Sequence, residues 1–546
     1  MNIFKTSVLL VVVLLIATIT LNRIHLPSQS RYKDIEFSAS NVQKHINIMS
    51  TEPRSIHHPI AREKVRLYLG KELEANGFKV NYIYYDSVKD RFGQYMNIGN
   101  VYAVSDPIER KPESYILLMA HLDSRFAKRV KGEEVISLGA ADDGYGLGSI
   151  LEIVRIMSEK RESWRQGIKV LFTDSEESDL EGIRYALKRD GHIFENVGFI
   201  INLEARGVKG PALMFETSPN NERVVELYKK GRQPFSYSLT SSIYNILPNY
   251  TDFSLIKEDF AGINISVIDN LNYYHTNLDN PENISLRSIQ HYGVQLEPII
   301  YEYLSNPIYA NPEYLSEGNS SYFFSLPFLG LFVINKTLYL IISIAFLCVF
   351  LFTTYLFKRQ NRLSYNNLIK FTTIIFLFLV LMSAMAYGAA RLSAYLNNVE
   401  YSAVNLAYVK YEYWIIGLCI ILSSISFTYL YIKLSGKKSR YRTTFLASGI
   451  LFGIIVSVAS HLFTGDSLLI SLPTFMAIFA YFLRLFNTNG YVRIIFPALS
   501  LLFLIPIIYL LIVALTIGAL FIILPLILLF LWTLIPICDA ILRDNI

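Results

Sequence analysis

Five places in the chain carry side chains of the kinds that bind divalent metal ions. They are His121-Leu122-Asp123, the Asp142-Asp143 pair inside Gly139–Gly144, Glu176-Glu177, Glu204, and Tyr274-His275-Thr276. Two imidazoles and three carboxylates suit zinc, which takes nitrogen and oxygen ligands. Five ligands exceed what one open tetrahedral site uses, but they serve two ions if one carboxylate bridges. Two metals about 3.5–4 Å apart can activate water and clamp a tetrahedral intermediate. His121 and Asp123 are two apart on an extended segment, so both can face one side. Asp123 can then hydrogen-bond the second nitrogen of His121 and orient the ring. If Glu177 ligates, its neighbour Glu176 is left to take a proton from water.

Each motif alone has a plain explanation. His-x-Asp is usually a surface loop, Glu-Glu a solvated helix start, and a carboxylate after an apolar strand a paired structural group. Their order, and the elements that precede them, argue for convergence. YILLMA (115–120), IKVLFT (168–173) and VGFIINLEA (197–205) are apolar runs expected to form buried strands. LGSILEIVRIMSEK (147–160) and residues 60–76 have helical spacing, the latter with Gly77 as its stop. Strands alternating with helices predict a mixed sheet covered on both faces. Three of the five clusters follow strand ends, and carboxyl ends of strands open on a common crevice.

Residues 36–306 are therefore expected to be one α/β domain. The rest is different in composition. Only 17% of the chain is Asp, Glu, Lys or Arg, against about 25% in soluble domains. The deficit lies in residues 337–546, with 14 Lys+Arg and 5 Asp+Glu, whereas residues 1–336 hold 36 and 40. The net charge of +5 is thus the sum of a mildly acidic part and a sparsely charged basic part. A wholly soluble protein, a disordered chain and a nucleic-acid binder are excluded as readings. The three cysteines, Cys348, Cys419 and Cys538, lie in or beside apolar segments. A disulfide framework and a cysteine-ligated metal site are thereby excluded from the α/β part.

Apolar spans are expected at 337–357, 371–390, 412–432, 443–463, 466–483, 494–513 and 515–536, each near the roughly 20 residues that cross a bilayer. Residues 7–21 (SVLLVVVLLIATITL) are read as an uncleaved anchor and 22–35 as a tether. Residues 307–336 are read as the connector to the bundle. Basic loops at 358–370, 433–442 and 484–493 alternate with poorly charged ones. By the positive-inside rule this puts both termini in the cytoplasm and the 36–306 domain on the opposite side. Asp466 and His461 fall near an outer edge and not at mid-span, so the bundle reads as an anchor or oligomerisation platform more than a transporter.

With these residues in view, the chain resembles a known family. HLDS, GAADDGYG, FTDSEESDLEG, NLEARG and YHTNLDNPENI are similar, in order, to the motifs of the co-catalytic zinc exopeptidases of metallopeptidase family 28. The resemblance covers about residues 40–305. It implies a three-layer α/β/α sandwich and two zinc ions held by His121, Asp142, Glu177, Glu204 and His275, with Asp142 bridging. It implies Glu176 as general base and Asp123 as the residue orienting His121. The order of anchor, peptidase domain and multi-span bundle resembles the membrane-bound branch of endoplasmic-reticulum metallopeptidases and vacuolar membrane proteases.

The function expected is a membrane-bound dizinc exopeptidase, an aminopeptidase in the first instance. Its partners are a peptide substrate and the lipid bilayer, with no nucleic acid and no oligomeric state assigned. The alternatives are carboxypeptidase or dipeptidase action at the same site, with Arg206 as the basic group, and a non-enzymatic scaffold or receptor. Glutaminyl cyclisation resembles a single-zinc variant, whereas this chain keeps five ligands. Arg206 and Tyr274 flank ligands and are expected to touch substrate or pack behind it. The other seven histidines are expected to be ordinary surface or core residues. Asn249, Asn264, Asn283, Asn319 and Asn335 begin N-x-Ser/Thr sequons.

Overall fold

The computed structural model describes residues 35–546, apart from 90–92, 94, 131–132, 247–248, 328, 405–408, 437, 487–489 and 544–546. The expected anchor at 7–21 lies outside the described residues. Two compact units are divided close to Thr337.

The first unit begins with α1 (Ala39–Met49), α2 (Pro59–Ala75), β1 (Lys79–Lys89), β2 (Tyr95–Ser105) and β3 (Tyr115–His121). A hairpin of β4 (Ala127–Val130) and β5 (Glu133–Ile136) leads to α3 (Gly144–Glu159), β6 (Gly167–Thr173), α4 (Glu181–Arg189) and β7 (Val197–Ala205). Next come β8 (Leu213–Thr217), α5 (Glu222–Tyr228), α6 (Ser238–Tyr244), β9 (Gly262–Val267) and α7 (Leu286–Ser305). A last hairpin pairs β10 (Ser321–Leu326) with β11 (Gly330–Asn335).

Seven strands form one sheet in the order β1-β2-β6-β3-β7-β9-β8. The four central strands, β6, β3, β7 and β9, run parallel, and the edges are antiparallel. Every residue of those four strands is buried, as expected where helices cover both faces. Alternation along β3 shows the two cores. Ile116, Leu118 and Ala120 pack with Ile46 of α1, Ile150 of α3 and Ile299 of α7. Leu117 and Met119 pack with Leu171, Ile183 of α4 and Phe253 on the other face. The result is the expected three-layer sandwich around a mixed sheet.

This topology decides where the site falls. The chain leaves β3, returns on one side as β6, and then crosses to the other side as β7. The carboxyl end of β3 is thus a switch point, where a crevice opens between diverging connections. Residues 307–336 do more than connect, because Tyr309, Leu315, Phe323 and Leu331 join the core of this unit.

The second unit consists of α8 (Lys336–Arg359), α9 (Tyr365–Leu396), α10 (Glu412–Ser435), α11 (Ser439–Thr464), α12 (Leu468–Leu483), α13 (Gly490–Leu515) and α14 (Leu520–Arg543). Among the described residues five helices, α8 to α12, are each long and apolar enough to cross a membrane. The last two of the seven expected spans do not qualify separately. Leu499–Leu515 and Ile517–Trp532 pass only as a pair bent by 109°, a broken span or re-entrant loop. The bend follows Thr516, a non-glycine residue in the left-handed region (φ 54°) whose hydroxyl accepts the Gly518 N–H. Among the described residues the bundle therefore has five or six candidate spans in place of seven. Trp532 of α14 is fully buried and stacks on Phe445 with centroids 4.6 Å apart.

Candidate metal centre

The four central strands each deliver part of the site. His121 is the last residue of β3 and Glu204 the penultimate residue of β7. Glu176 and Glu177 lie in the turn after β6, and His275 lies in the loop after β9. Asp142 precedes α3, whose N-cap is Asp143.

All five expected ligands meet. His121, Asp142 and Glu204 form one group of converging ligand atoms, and Asp142, Glu177 and His275 form another, each within 4.8 Å. Asp142 belongs to both. Its Oδ1 lies 3.1 Å from His121 Nε2 and its Oδ2 3.2 Å from His275 Nε2. Glu204 Oε2 is 3.9 Å from His121 Nε2, and Glu177 Oε1 is 2.9 Å from His275 Nε2. Glu176 belongs to neither group.

The residues fit divalent cations. Asp142 Oδ2, Glu177 Oε1 and His275 Nε2 are buried, point at one another and make no hydrogen bond. Buried polar atoms normally have partners, and a cation among these three would supply one. Charge argues the same way. Burial alone would disfavour charge on His121, but the carboxylates of Asp123 and Asp142 outweigh it and push its pKa well up. Burial likewise opposes ionisation of Asp142, yet His121 and His275 hold it well below the usual carboxylate range. Burial, with the neighbouring carboxylates, pushes Glu176 and Glu204 well up, against the attraction of His121.

Asp123 is placed somewhat differently from its expected role. His121 Nδ1 is 3.0 Å from the Asp123 backbone carbonyl and 3.5 Å from its carboxylate, so the carbonyl is the closer acceptor. The carboxylate also accepts the backbone N–H groups of Glu176 and Glu177, at 3.0 and 3.3 Å. One residue thus ties the loop after β3 to the loop after β6. The latter is conformationally tight: Ser175 (φ 60°) and Leu180 (φ 63°) are left-handed, as is His275 (φ 59°). Such outliers cost about 1–3 kcal/mol each and persist where neighbours over-determine them.

The glycines of GAADDGYG have local causes. Gly139 has φ 64°, and a Cβ there would lie 2.6 Å from the Asp142 carbonyl. A Cβ on Gly146 would lie 2.3 Å from Asp143 Oδ2, whose partner oxygen caps α3 by accepting the Gly146 N–H.

Several positioning groups carried no sequence signal. The fully buried Arg54 donates to the carbonyls of Leu122 (2.8 Å), Leu138 (2.6 Å) and Gly139 (2.7 Å). It joins the His121 loop to the Asp142 loop. Asp279 accepts the N–H groups of Ala141 (2.6 Å) and Asp142 (3.3 Å). It lies four residues past His275, inside the YHTNLDNPENI motif, where its pattern was visible although its role was not. Tyr292 Oη donates to the Glu204 carbonyl at 2.5 Å and accepts the Val267 N–H at 2.9 Å. Of the two flanking residues, Tyr274 stacks on His275 with centroids 3.6 Å apart, and Arg206 raises charge close enough to Tyr274 to oppose the rise that burial imposes on its hydroxyl pKa. Asn264 is fully buried and donates to Glu216 and Thr251, so its sequon is inaccessible in the fold.

A mixed seven-stranded sheet with helices on both faces, carrying two carboxylate–histidine triads at its carboxyl edge, defines the zinc exopeptidase fold. Residues 100–298 match the model of Peptidase family M28. The chain is 29% identical over 279 residues to endoplasmic reticulum metallopeptidase 1 of Mus musculus, a match covering 50% of this chain and 29% of that protein. It is 27% identical over 235 residues to a vacuolar membrane protease of Candida dubliniensis, covering 42% and 24%. The matched segments thus span less than a third of these curated relatives. Among solved structures, a Zn-dependent exopeptidase from Parabacteroides distasonis is similar at 22% identity and a TM-score of 0.39, over 50% of this chain and 98% of that one.

Proposed function

We propose that the protein is a membrane-bound dizinc exopeptidase, an aminopeptidase that trims peptides on the non-cytoplasmic face. The observation that carries this reading is the sharing of Asp142 between two triads, one oxygen toward each histidine. In this reading His121, Asp142 and Glu204 hold one zinc ion, and Asp142, Glu177 and His275 the other. The ions, when bound, supply Lewis-acid polarisation of the scissile carbonyl and a lowered pKa for water.

The chain's own residues do the rest. Glu176 is outside both triads and adjacent to Glu177, so it is free to accept the proton of the attacking water. It can then return that proton to the leaving amine. Asp123 supports this by holding the Glu176 and Glu177 amides while its carbonyl orients His121. Tyr274, against His275, is kept protonated by burial and the neighbouring carboxylates, and so can donate a hydrogen bond at the site.

The names of the relatives, a metallopeptidase of the endoplasmic reticulum and a vacuolar membrane protease, support action on peptides at a membrane. The alternation of basic loops supports a non-cytoplasmic peptidase domain, with both termini in the cytoplasm where the bent last pair is a re-entrant loop. The deciding experiment is digestion of a peptide library by the detergent-solubilised chain, with and without chelator. Loss of amino-terminal residues, abolished by chelator and restored by zinc, is expected. Carboxy-terminal trimming would replace the aminopeptidase reading, and chelator-insensitive cleavage would overturn the metal mechanism.

A further inference from the structure

The two outer carboxylates of the triads share a pattern. Each turns one oxygen toward its histidine and gives the other to a donor from the chain. For Glu204, Oε2 faces His121 and Oε1 accepts the Asn202 side-chain amide at 3.1 Å. For Glu177, Oε1 faces His275 and Oε2 lies 3.3 Å from Arg125 Nη1.

The donor at Glu177 does more than its counterpart. The same Arg125 nitrogen donates to the Glu177 backbone carbonyl at 2.7 Å. An Nη group carries two hydrogens, so one nitrogen can grip both the main chain and the carboxylate of the same residue. That grip fixes the Glu177 side chain as a bent arm. The turn that carries it is held in left-handed conformations at Ser175, Asp179 and Leu180, which the local sequence does not enforce. Arg125 clamps one side of the turn, and the Asp123 carboxylate clamps the other through the two amides. The Arg125 side chain is 33% exposed and rests 5.2 Å from the Phe126 ring centroid, so it is not a core-packing residue.

We infer that Arg125 is a positioning residue that holds Glu177 so that it offers Oε1 alone, making one of the two metal sites, the one with His275, specifically dependent on it. The inference rests on the two-zinc reading above. Asn202 does the matching work at Glu204, on the other side of Asp142.

The test is zinc affinity, measured by competition with a chromophoric chelator on the full detergent-solubilised chain. Two single-site backgrounds separate the ions. Glu204→Ala leaves the Asp142–Glu177–His275 set, and His275→Ala leaves the His121–Asp142–Glu204 set. Loss of a residue that orients a ligand costs about 10–100-fold in metal affinity. Arg125→Ala should therefore weaken zinc by about that factor in the Glu204→Ala background, and change it less than about twofold in the His275→Ala background. Arg125→Lys keeps one cationic donor nitrogen on a shorter reach and should recover part of the loss. The metal-free melting curve of Arg125→Ala should overlay that of the parent. An equal effect in both backgrounds, no effect in the first, or a lysine variant no better than alanine would overturn the inference while leaving two zinc ions in place. A parent chain that binds no zinc would overturn both it and the reading beneath it.

Discussion

Glu177 Oε1 lies 2.9 Å from His275 Nε2, and neither atom makes a hydrogen bond. A carboxylate and an imidazole that close, buried and without hydrogen-bond geometry are arranged for a third partner. Asp142 Oδ2 joins them as the remaining orphan, while its other oxygen faces His121. Metal content should follow this sharing. His275→Ala should lower bound zinc from two ions per chain to one. Asp142→Asn should lower it below one, because both sites lose a carboxylate. Elemental analysis of the purified chain checks both, and two ions retained in Asp142→Asn would refute the shared-ligand arrangement.

Glu176 is the carboxylate that the triads leave out. Glu176→Gln should keep two zinc ions and nearly abolish peptide turnover. General acid–base catalysis contributes about 10²–10⁴-fold, so kcat should fall by that range with KM little changed. Steady-state kinetics beside a zinc determination makes the comparison, and substantial turnover in the variant would remove Glu176 from the mechanism.

Arg54 bridges the loops that carry His121 and Asp142 through three carbonyls. Its surroundings are anionic, with Asp279, Asp123, Asp143 and Asp142 acting on it, although burial itself depresses its pKa. Arg54→Leu should strand those carbonyls, and an unsatisfied buried polar group costs about 1–3 kcal/mol. A loss of several kcal/mol is the expectation, with Arg54→Lys intermediate because an ammonium cannot span all three. Thermal unfolding of the metal-free protein would show this as a lowered midpoint. An unchanged midpoint would show that the loops hold without the bridge.

How far the sequence spoke for the fold depends on whether an interaction is periodic or long-range. The runs at 115–120, 168–173 and 197–205 became β3, β6 and β7 because continuous apolar segments can be satisfied only inside a two-sided sheet. The five ligands were legible because their residue types are chemically restrictive and three of their clusters follow strand ends. Arg54, Arg125 and Asn202 were not. Each acts through a contact to a partner whose sequence position depends on topology, as with Arg54 and Leu138, 84 residues apart. The bend after Thr516 was invisible for another reason. Residues 494–537 form one apolar run, and hydropathy has no term for a single left-handed residue.

In the bundle, Gly449 of α11 makes room for Trp532 of α14. A Cβ there would lie 2.0 Å from Trp532 Cδ1. Gly449→Val should force the indole off Phe445 and destabilise the bundle by about 1–3 kcal/mol, the usual cost of overpacking. A lowered melting midpoint in detergent would be the sign, and parent-like melting would mean that α14 can shift to accommodate the side chain. Zinc stoichiometry should be unaffected, since every expected ligand belongs to the other unit.

His291, on α7, gives a pH dependence that is independent of the metal centre. Its Nδ1 accepts the Ala212 N–H at 2.9 Å, and its Nε2 faces the Gln233 carbonyl at 3.2 Å. This is a neutral ring with its proton on Nε2. Burial pushes its pKa from 6.5 down to about 4, against a smaller opposing pull from the Gln233 carbonyl. Between those values the unfolded chain binds a proton that the folded chain refuses. Stability therefore rises with pH through that window: the contribution is fully present above pH 6.5 and is lost as pH falls toward 4. The shift corresponds to about 3 kcal/mol over the window. His291→Gln lacks the titration, so its stability should fall less steeply than the parent's over the same range, even if it starts lower at neutral pH. Melting midpoints of both proteins taken across the window make the measurement. Parallel pH profiles would mean that some other group supplies the proton uptake.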